Sequence, residues 1–227
     1  MAPVLSKTPE TLVTRGWSDY ALLDSGDGKK LERYGRYTVV RPEPQCFWSP
    51  RDPAAFEAAT ALFDPQQEEE DSGRWKFDKH GPVDASKKPV AYARENAEQS
   101  GLAQHPIRWI VEDARKYVAR EVRRGSKYDG IILDPPKYGR GPTGEVWRLF
   151  EDMPGLLKDC AALLAEDADF LLLNAYAARV SGLSLAHLMA EATHDRGGRI
   201  DWGELALSED GPDARAIGLS FFARWSR

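Results

Sequence analysis

Strand-like and helix-like patterns alternate through the last two thirds of the chain, and this alternation constrains the fold most. The near-continuous apolar run from Tyr128 to Leu133 is typical of a strand that is covered on both faces. Helical patterns flank this run at 114–124 and 152–165, and another strand pattern follows at 170–173. Strands that alternate with helices predict a mostly parallel sheet. We therefore predict an α/β, Rossmann-like fold.

The same patterns predict the remaining elements of this region. Helices are expected at 85–100 and 184–192, and strands at 107–111, 200–207 and 217–224. The turn sequence EDGPDA separates the last two strands. They are therefore predicted to form an antiparallel C-terminal end of the sheet.

The first third of the chain has a different character. Short apolar and aromatic runs broken by turn residues predict a small β-rich appendage over residues 1–63. Between Asp64 and Val83 only three residues are apolar, and the segment contains an acidic run. We interpret 64–82 as a polar linker. The Rossmann-like domain is then expected to occupy 83–227.

Composition excludes several classes of protein. The net charge of −5 excludes a basic field over the whole surface, although a local basic patch is compatible with it. Two cysteines cannot form a disulfide framework and favour a reducing compartment. No apolar stretch approaches the roughly 20 residues that span a bilayer, and the N-terminus has no apolar signal core. We expect a cytoplasmic protein without a membrane partner, and we assign no metal ligands.

Three carboxylates follow predicted strands of the Rossmann-like domain. Asp84, Asp113 and Asp134 are 29 and 21 residues apart, each about one strand–helix repeat. Ligands of open α/β sheets bind at the carboxyl ends of the strands. A carboxylate such as that of Asp84 can accept both hydroxyl hydrogens of a ribose, and Asp113 can accept from an adenine amino group. Either residue could instead cap the helix that follows it.

The sequence IILDPPKYGRG adds a further feature to the third strand end. Pro135 and Pro136 end the strand and remove two backbone donors. The Asp134 side chain and the Pro135 carbonyl are then expected to point outward as acceptors. Such a pair can hold an amino group whose nitrogen attacks an electrophile.

Three segments together resemble class I S-adenosylmethionine-dependent methyltransferases, most closely the bacterial group related to large-subunit ribosomal RNA methyltransferases. They are VDASKKPVAYARENAEQSGL, WIVEDARKYV and YDGIILDPPKYGRG. The N-terminal YALLDSGDGKKLERYGRYTVVRPEPQ is similar to the small β appendage of these proteins. The resemblance implies methyl transfer from S-adenosylmethionine to nucleic acid, with ribosomal RNA as the expected substrate.

The resemblance also implies roles for individual residues. The cofactor is expected to contact Asp84 through its ribose and Asp113 near its adenine, with Ser86, Ala114 and Asp134 completing the cofactor site. The loop between methyl donor and acceptor is formed by three residues that we treat as catalytic: Asp134, Pro135 and Pro136.

Basic residues cluster near the same strand ends. From 107 to 148 there are ten Lys and Arg against six acidic residues. Lys137 and Arg140 could contact phosphate, and Tyr138 could stack on a base, so we assign these three to the substrate. The charges of 115–124 are also explained as the solvated face of a helix.

Two features limit the chemistry. Methylation at a pyrimidine carbon usually requires a cysteine nucleophile at a strand end. Cys160 falls in a helical pattern and Cys46 in the appendage, so that mechanism is disfavoured.

In addition, the family's opening strand and glycine-rich loop should lie about 20 to 25 residues before the ribose carboxylate, where this chain has its polar linker. We therefore expect weak cofactor binding and little turnover.

Two alternative functions are compatible with the sequence. A non-catalytic RNA-binding or assembly module, derived from a methyltransferase, would explain the departure at the glycine-rich loop. A nicotinamide oxidoreductase is suggested only by GRGPTG, which has the spacing G-x-G-x-x-G but begins five residues after Asp134 and contains a proline.

Overall fold

The computed structural model of the chain describes residues 2–65, 73–77, 95–105, 107, 110, 112–140, 146–176, 179–211 and 213–227. Its strands are β1 (Val4–Leu5), β2 (Glu10–Thr14), β3 (Tyr20–Gly26), β4 (Lys29–Tyr34), β5 (Tyr37–Pro42), β6 (Ala61–Pro65), β7 (Gly73–Phe77), β8 (Gly130–Leu133), β9 (Tyr138–Arg140), β10 (Val146–Arg148), β11 (Phe170–Ala175), β12 (Arg199–Ser208) and β13 (Ala216–Ser226). The helices are α1 (Pro53–Glu57), α2 (95–99), α3 (Ala114–Arg124), α4 (Leu149–Leu163) and α5 (Gly182–Ala192).

The described strands of the central sheet lie in the order β1-β12-β13-β11-β8, and β2 also pairs with β12. β8 and β11 are parallel, whereas β13 is antiparallel to both of its neighbours, β11 and β12. The antiparallel C-terminal end is therefore confirmed. β1 and β2 run parallel to β12 at the edge of this sheet. Residues 4–14 thus contribute to the central sheet as well as preceding the appendage.

A single large core lies between this sheet and helices α4 and α5. The buried positions of α4 include Met153, Leu157 and Cys160, which recur at helical spacing and form one apolar face. They contact Leu171 and Leu173 of β11 in the same cluster. The alternation of buried and partly buried residues along β11 explains why this strand carries the core on one face.

The appendage is a five-stranded sheet in the order β3-β4-β5-β6-β7. β3 and β4 are joined by a tight turn in which Asp27 and Gly28 both have positive φ, as the sequence SGDGKK predicts. β7 lies inside the segment predicted as a polar linker, so residues 73–77 form a strand there. The domain boundaries themselves stay predictions.

The appendage packs on the ends of β12 and β13. A second apolar cluster joins Leu22 and Cys46 of the appendage to Leu207 and Ile217 of the hairpin. Buried Glu209 accepts a hydrogen bond from the Ser25 hydroxyl at 2.7 Å. Because a buried charge must be compensated, the Arg215 guanidinium pairs with Glu209 at 2.8 Å and with Asp24 at 2.5 Å.

Two sequence predictions differ from the structure or fall outside it. Ile132 in β8 is 65% exposed, although its apolar run predicted a strand covered on both faces. The physical reason is that, among the described residues, β8 pairs with β11 alone and lies at the edge of the sheet. Of the predicted helix 85–100 only the end is described, and most of the predicted strand 107–111 lies outside the described residues. Within the described ranges no helix is long and apolar enough to cross a membrane.

Candidate active site at the carboxyl edge of the central sheet

Asp134 and Asn174 lie side by side because β8 and β11 are parallel and in register. Leu133 pairs with Leu173, so the next residue of each strand emerges at the same edge. The Asn174 amide nitrogen donates to Asp134 Oδ1 at 2.7 Å. The side-chain oxygen of Asn174 is buried and has no hydrogen-bond partner among the described residues. Partial burial raises the pKa of the Asp134 carboxyl group, while the Asn174 hydrogen bond opposes this effect.

The loop after β8 is held by hydrogen bonds to two of its carbonyl groups. The Trp147 indole nitrogen donates to the Pro136 carbonyl at 2.7 Å, and the Leu149 amide donates to the Lys137 carbonyl at 3.0 Å. In the described part of the chain, nothing donates to Asp134 Oδ2 or to the Pro135 carbonyl. Among the described residues, the loop therefore leaves these two acceptors without a donor, and their predicted role stays a prediction.

The substrate candidates follow this loop in a β-hairpin. Arg140 pairs with Val146 and Tyr138 with Arg148 in the β9–β10 ladder. Lys137 is exposed and the Tyr138 side chain is 48% exposed. Gly139 lies within β9 rather than at a strand-to-helix turn. This context does not favour a nicotinamide loop at GRGPTG, whose residues 141–144 lie outside the described ranges.

Arg115 of α3 braces the hairpin from the side. Its guanidinium donates to Asp152 at 2.9 Å and to the Val146 carbonyl at 3.3 Å, and it lies 5.8 Å from the centre of the Trp147 ring. The same group pairs with Asp113 at 3.2 Å. Arg115 therefore links Asp113, at the start of α3, to Trp147, which in turn donates to Pro136 in the loop after β8.

Asp113 is the N-cap of α3. Its Oδ1 accepts from the backbone amides of Arg115 and Lys116, at 2.8 and 3.3 Å. The hydrogen bond from the Arg115 guanidinium, assisted by these amides, lowers the pKa of the Asp113 carboxyl group. The capping alternative is thus observed. Ala114 is the first residue of α3. The assignment of both residues to the adenine subsite stays a proposal.

The positive charge of α3 is largely paired. The Arg120 guanidinium contacts Glu112 at 2.6 Å, and that of Arg124 contacts Glu121 at 2.9 Å. These pairs, together with the brace made by Arg115, agree with the interpretation of 115–124 as a solvated helix face.

Both cysteines are free and buried. Burial raises the pKa of Cys160, within α4, to about 12, and that of Cys46, in the second apolar cluster, to about 11. Neither thiol lies at a carboxyl strand end, and both are predominantly protonated near neutral pH. The structure therefore provides no cysteine nucleophile at this edge.

The remaining cofactor candidates, Asp84 and Ser86, lie outside the described residues. β6 occupies the position at which the family's opening strand is expected, but it pairs with β5 and β7 in the appendage sheet. No described strand pairs with the outer edge of β8. The expected departure at the glycine-rich loop stays a prediction, because residues 66–72 and 78–94 lie outside the described ranges.

Sequence reasoning did not assign roles to Asn174, Arg115 and Trp147. Asn174 could have been found, because it ends the strand next to that of Asp134 and the carboxyl ends of parallel strands meet. The other two act through contacts between distant segments, for which the sequence gives no local signal.

A matched pair of tryptophan substitutions tests the role of the Trp147 hydrogen bond. Trp147→Phe removes the donor to Pro136 but keeps a ring, so we expect methyl transfer to fall at least about 10-fold, because loop position controls the reaction geometry. Trp202→Phe removes an equivalent indole hydrogen bond, to the Ser6 carbonyl at 2.9 Å, on β12. Both should cost about 1 kcal/mol in free energy of unfolding. Equal loss of methyl transfer in the two variants would contradict a specific role.

Asn174→Leu should change the pH dependence of the reaction. The variant lacks the hydrogen-bond donor that lowers the pKa of Asp134. The pKa of Asp134 should therefore rise further. In the predicted role of Asp134 the ionised carboxylate is the acceptor, so the acid limb of the rate profile should move to higher pH. Single-turnover methyl transfer measured across pH checks this, and a shift to lower pH would contradict it.

Comparison with known proteins first identifies a short related segment. No protein-family profile matches the chain. A segment of 56 residues is 38% and 39% identical to proteins named ribosomal RNA large subunit methyltransferase I, from Aeromonas hydrophila and Aeromonas salmonicida respectively. The match spans 25% of this chain but only 14% of each of these relatives.

Solved structures match nearly the whole chain. Two methyltransferase structures, one from Streptococcus mutans and one in complex with SAH, are 12% and 13% identical with TM-scores of 0.62 and 0.59, and they show the fold alone. They align with 92% and 91% of this chain, and in each case with 75% of the solved chain. The SAM-dependent methyltransferase from Agrobacterium tumefaciens is 34% identical, with a TM-score of 0.89, and the match covers 99% of this chain and 95% of that one. The chain therefore belongs to the S-adenosylmethionine-dependent methyltransferases.

Proposed function

We propose that the protein transfers a methyl group from S-adenosylmethionine to RNA, with large-subunit ribosomal RNA as substrate and the cytoplasm as its location. The observation that carries the proposal is the pair of available acceptors, Asp134 Oδ2 and the Pro135 carbonyl, beside Asn174 at the carboxyl edge. The names of the two Aeromonas relatives support ribosomal RNA as the substrate class.

The acceptor pair suits an amino group on a nucleobase. Asp134 Oδ2 and the Pro135 carbonyl each accept one N–H, which fixes the direction of the nitrogen lone pair. S-adenosylmethionine, when bound, supplies an electrophilic methyl group on a sulfonium. The Asp134 carboxylate would stabilise the positive charge that develops on this nitrogen during methyl transfer, until the nitrogen releases a proton to solvent.

The cofactor is proposed to lie along the same edge. Asp84 and Ser86 would hold its ribose, and Asp113 with Ala114 would lie beside its adenine. Asp113 uses Oδ1 for the helix cap and Oδ2 for Arg115, so an adenine amino group would share Oδ2 with that guanidinium.

The RNA is proposed to approach across the hairpin that follows the loop. Lys137 and Arg140 would contact phosphate, and Tyr138 would stack on a base. The exposure of Lys137 and Tyr138 supports these roles.

Incorporation of tritium from methyl-labelled S-adenosylmethionine into purified ribosomal RNA tests the proposal. The assay uses single-turnover conditions because we expect slow turnover, and the digested nucleosides are separated to locate the label. Label on an amino nitrogen is expected. Label on a ring carbon would overturn the acceptor-pair mechanism. RNA binding without incorporation would favour the non-catalytic module.

A further inference from the structure

Exposed aromatic and arginine side chains gather on the appendage near its packing surface with β12. Trp17 is 63% exposed and Tyr34 is 42% exposed, although both are large and apolar in part. Arg15 and Arg36 are exposed beside them in the chain. We refer to these four residues as the aromatic–arginine patch.

The rings of the patch are held by a buried charge network. Tyr20 lies between them, with its ring centre 6.3 Å from that of Trp17 and 5.1 Å from that of Tyr34. The Tyr20 hydroxyl donates to wholly buried Glu32 at 2.8 Å. Arg41 neutralises this carboxylate through two hydrogen bonds of 2.6 and 2.8 Å. The network therefore holds Tyr20 in place, and the Tyr20 ring contacts both exposed rings.

Strand register places the patch at the same edge as Asp134. β12 runs in the direction of β11, because both are antiparallel to β13. Ala175, at the end of β11, and Glu204 of β12 both pair with Phe221 of β13, so they lie at the same level of the sheet. Beyond this level β12 continues to Ser208, which extends it about 13 Å past the end of β11. β2 is parallel to this extension and ends at Thr14, so Arg15 and Trp17 follow beyond it.

The charges of the patch favour an anionic partner. Neither Arg15 nor Arg36 forms an ion pair with a carboxylate of the described residues, and the Arg36 guanidinium lies 4.9 Å from the centre of the Tyr37 ring. Asp19 is the nearby acid in the chain, and Asp210 lines a crevice together with Trp17. With two acids close by, long-range attraction is modest, so the exposed rings must provide much of the binding. Aromatic faces with flanking cations are suited to unpaired bases and their phosphates.

We infer that the aromatic–arginine patch is a second RNA contact, at which Trp17 and Tyr34 stack on unpaired bases while Arg15 and Arg36 contact the neighbouring phosphates. Four strand spacings separate β8 from β2, the strand that Arg15 and Trp17 follow, which is about 19 Å across the sheet. One single-stranded segment of RNA can therefore reach both the patch and the acceptor pair. The inference rests on the proposed function, since it concerns the same substrate class.

Binding of a fluorescein-labelled, single-stranded 12-nucleotide RNA to the full chain tests the patch. Trp17→Ala is expected to weaken binding about 5- to 100-fold, the range for loss of one stacked base. Trp17→Phe, which keeps a stacking face, should restore affinity to within about 3-fold of the original. The double variant Arg15→Ala/Arg36→Ala should reduce the slope of log Kd against log salt by about 1.4, for two phosphates on a single strand.

Arg227→Ala is the matched control, because this arginine follows β13 at the opposite edge of the sheet, where Ser226 pairs with Phe170. It should change neither the affinity nor the salt dependence. Unchanged RNA affinity in Trp17→Ala would overturn the inference, as would equal loss in Trp17→Phe. RNA binding is measured without cofactor. If RNA binding depends on the patch but no methyl group is transferred, only the proposed function is rejected. If methyl transfer occurs but RNA binding does not depend on the patch, only the inference is rejected.

Discussion

Asp134→Ala is expected to lower single-turnover methyl transfer at least about 100-fold. In the proposed mechanism the carboxylate supplies one of two acceptors that orient the attacking nitrogen, and small losses of reaction geometry cost about that much. It also supplies negative charge where positive charge develops on the nitrogen, which adds to the expected loss. Tritium incorporation into ribosomal RNA measures the effect.

Asp129→Ala is the control for this substitution. Asp129 immediately precedes β8 at its amino end and is exposed, so the variant removes a similar charge from the opposite edge of the sheet. Asp129→Ala is at an exposed position and should change the free energy of unfolding by about 0.5 kcal/mol or less, whereas Asp134→Ala also loses the Asn174 hydrogen bond and should cost about 1 kcal/mol. If Asp134→Ala retains methyl transfer at the level of Asp129→Ala, the carboxylate has no role in the reaction.

Elements with strong local signals were predicted well from the sequence. The helix expected at 114–124 is α3, and its ends explain why. Asp113 caps its first turn, and Gly125 ends it with a φ of 69°, a conformation that few other residues adopt easily. The strands expected at 200–207 and 217–224 form the antiparallel pair β12 and β13, each slightly longer than predicted.

Pairing between distant segments was not predictable in the same way. β1 pairs with β12 although Val4 and Arg199 are far apart in the chain, and no residue pattern in so short a strand indicates its partner. The exposure of Ile132 shows the same limit, because an apolar run cannot indicate which strand lies at a sheet edge.

The candidate site also contains both kinds of feature, those with a local sequence signal and those that depend on contacts between distant segments. The proline pair indicated where β8 ends, at Leu133, since prolines end a strand by their own chemistry. The acceptor roles of Asp134 and Pro135 stay predictions. The contacts of Trp147 with Pro136 and of Arg115 with Asp152 depend on how β10 and α3 pack. Such contacts require the tertiary structure.

Cofactor affinity should be weak in the chain as written and should increase when a strand and glycine-rich turn are inserted before Asp84. The family resemblance implies an opening strand and glycine-rich turn, which would let the backbone approach the methionine end of the cofactor. Here the segment at that position, β6, belongs to the appendage sheet, and the outer edge of β8 has no described partner. An inserted strand could pair with this edge and cover Ile132.

The insertion should increase the rate of methyl transfer more than about 100-fold, because an error of about 1 Å in the reacting geometry already costs that much. Calorimetry gives the cofactor affinity, and hydrogen exchange at residues 130–133 reports whether the inserted strand pairs with β8. A Gly/Ser insertion of equal length is the control and should restore neither affinity nor protection. Tight binding of S-adenosylmethionine and rapid methyl transfer by the unmodified chain would show instead that another segment takes the place of the glycine-rich loop.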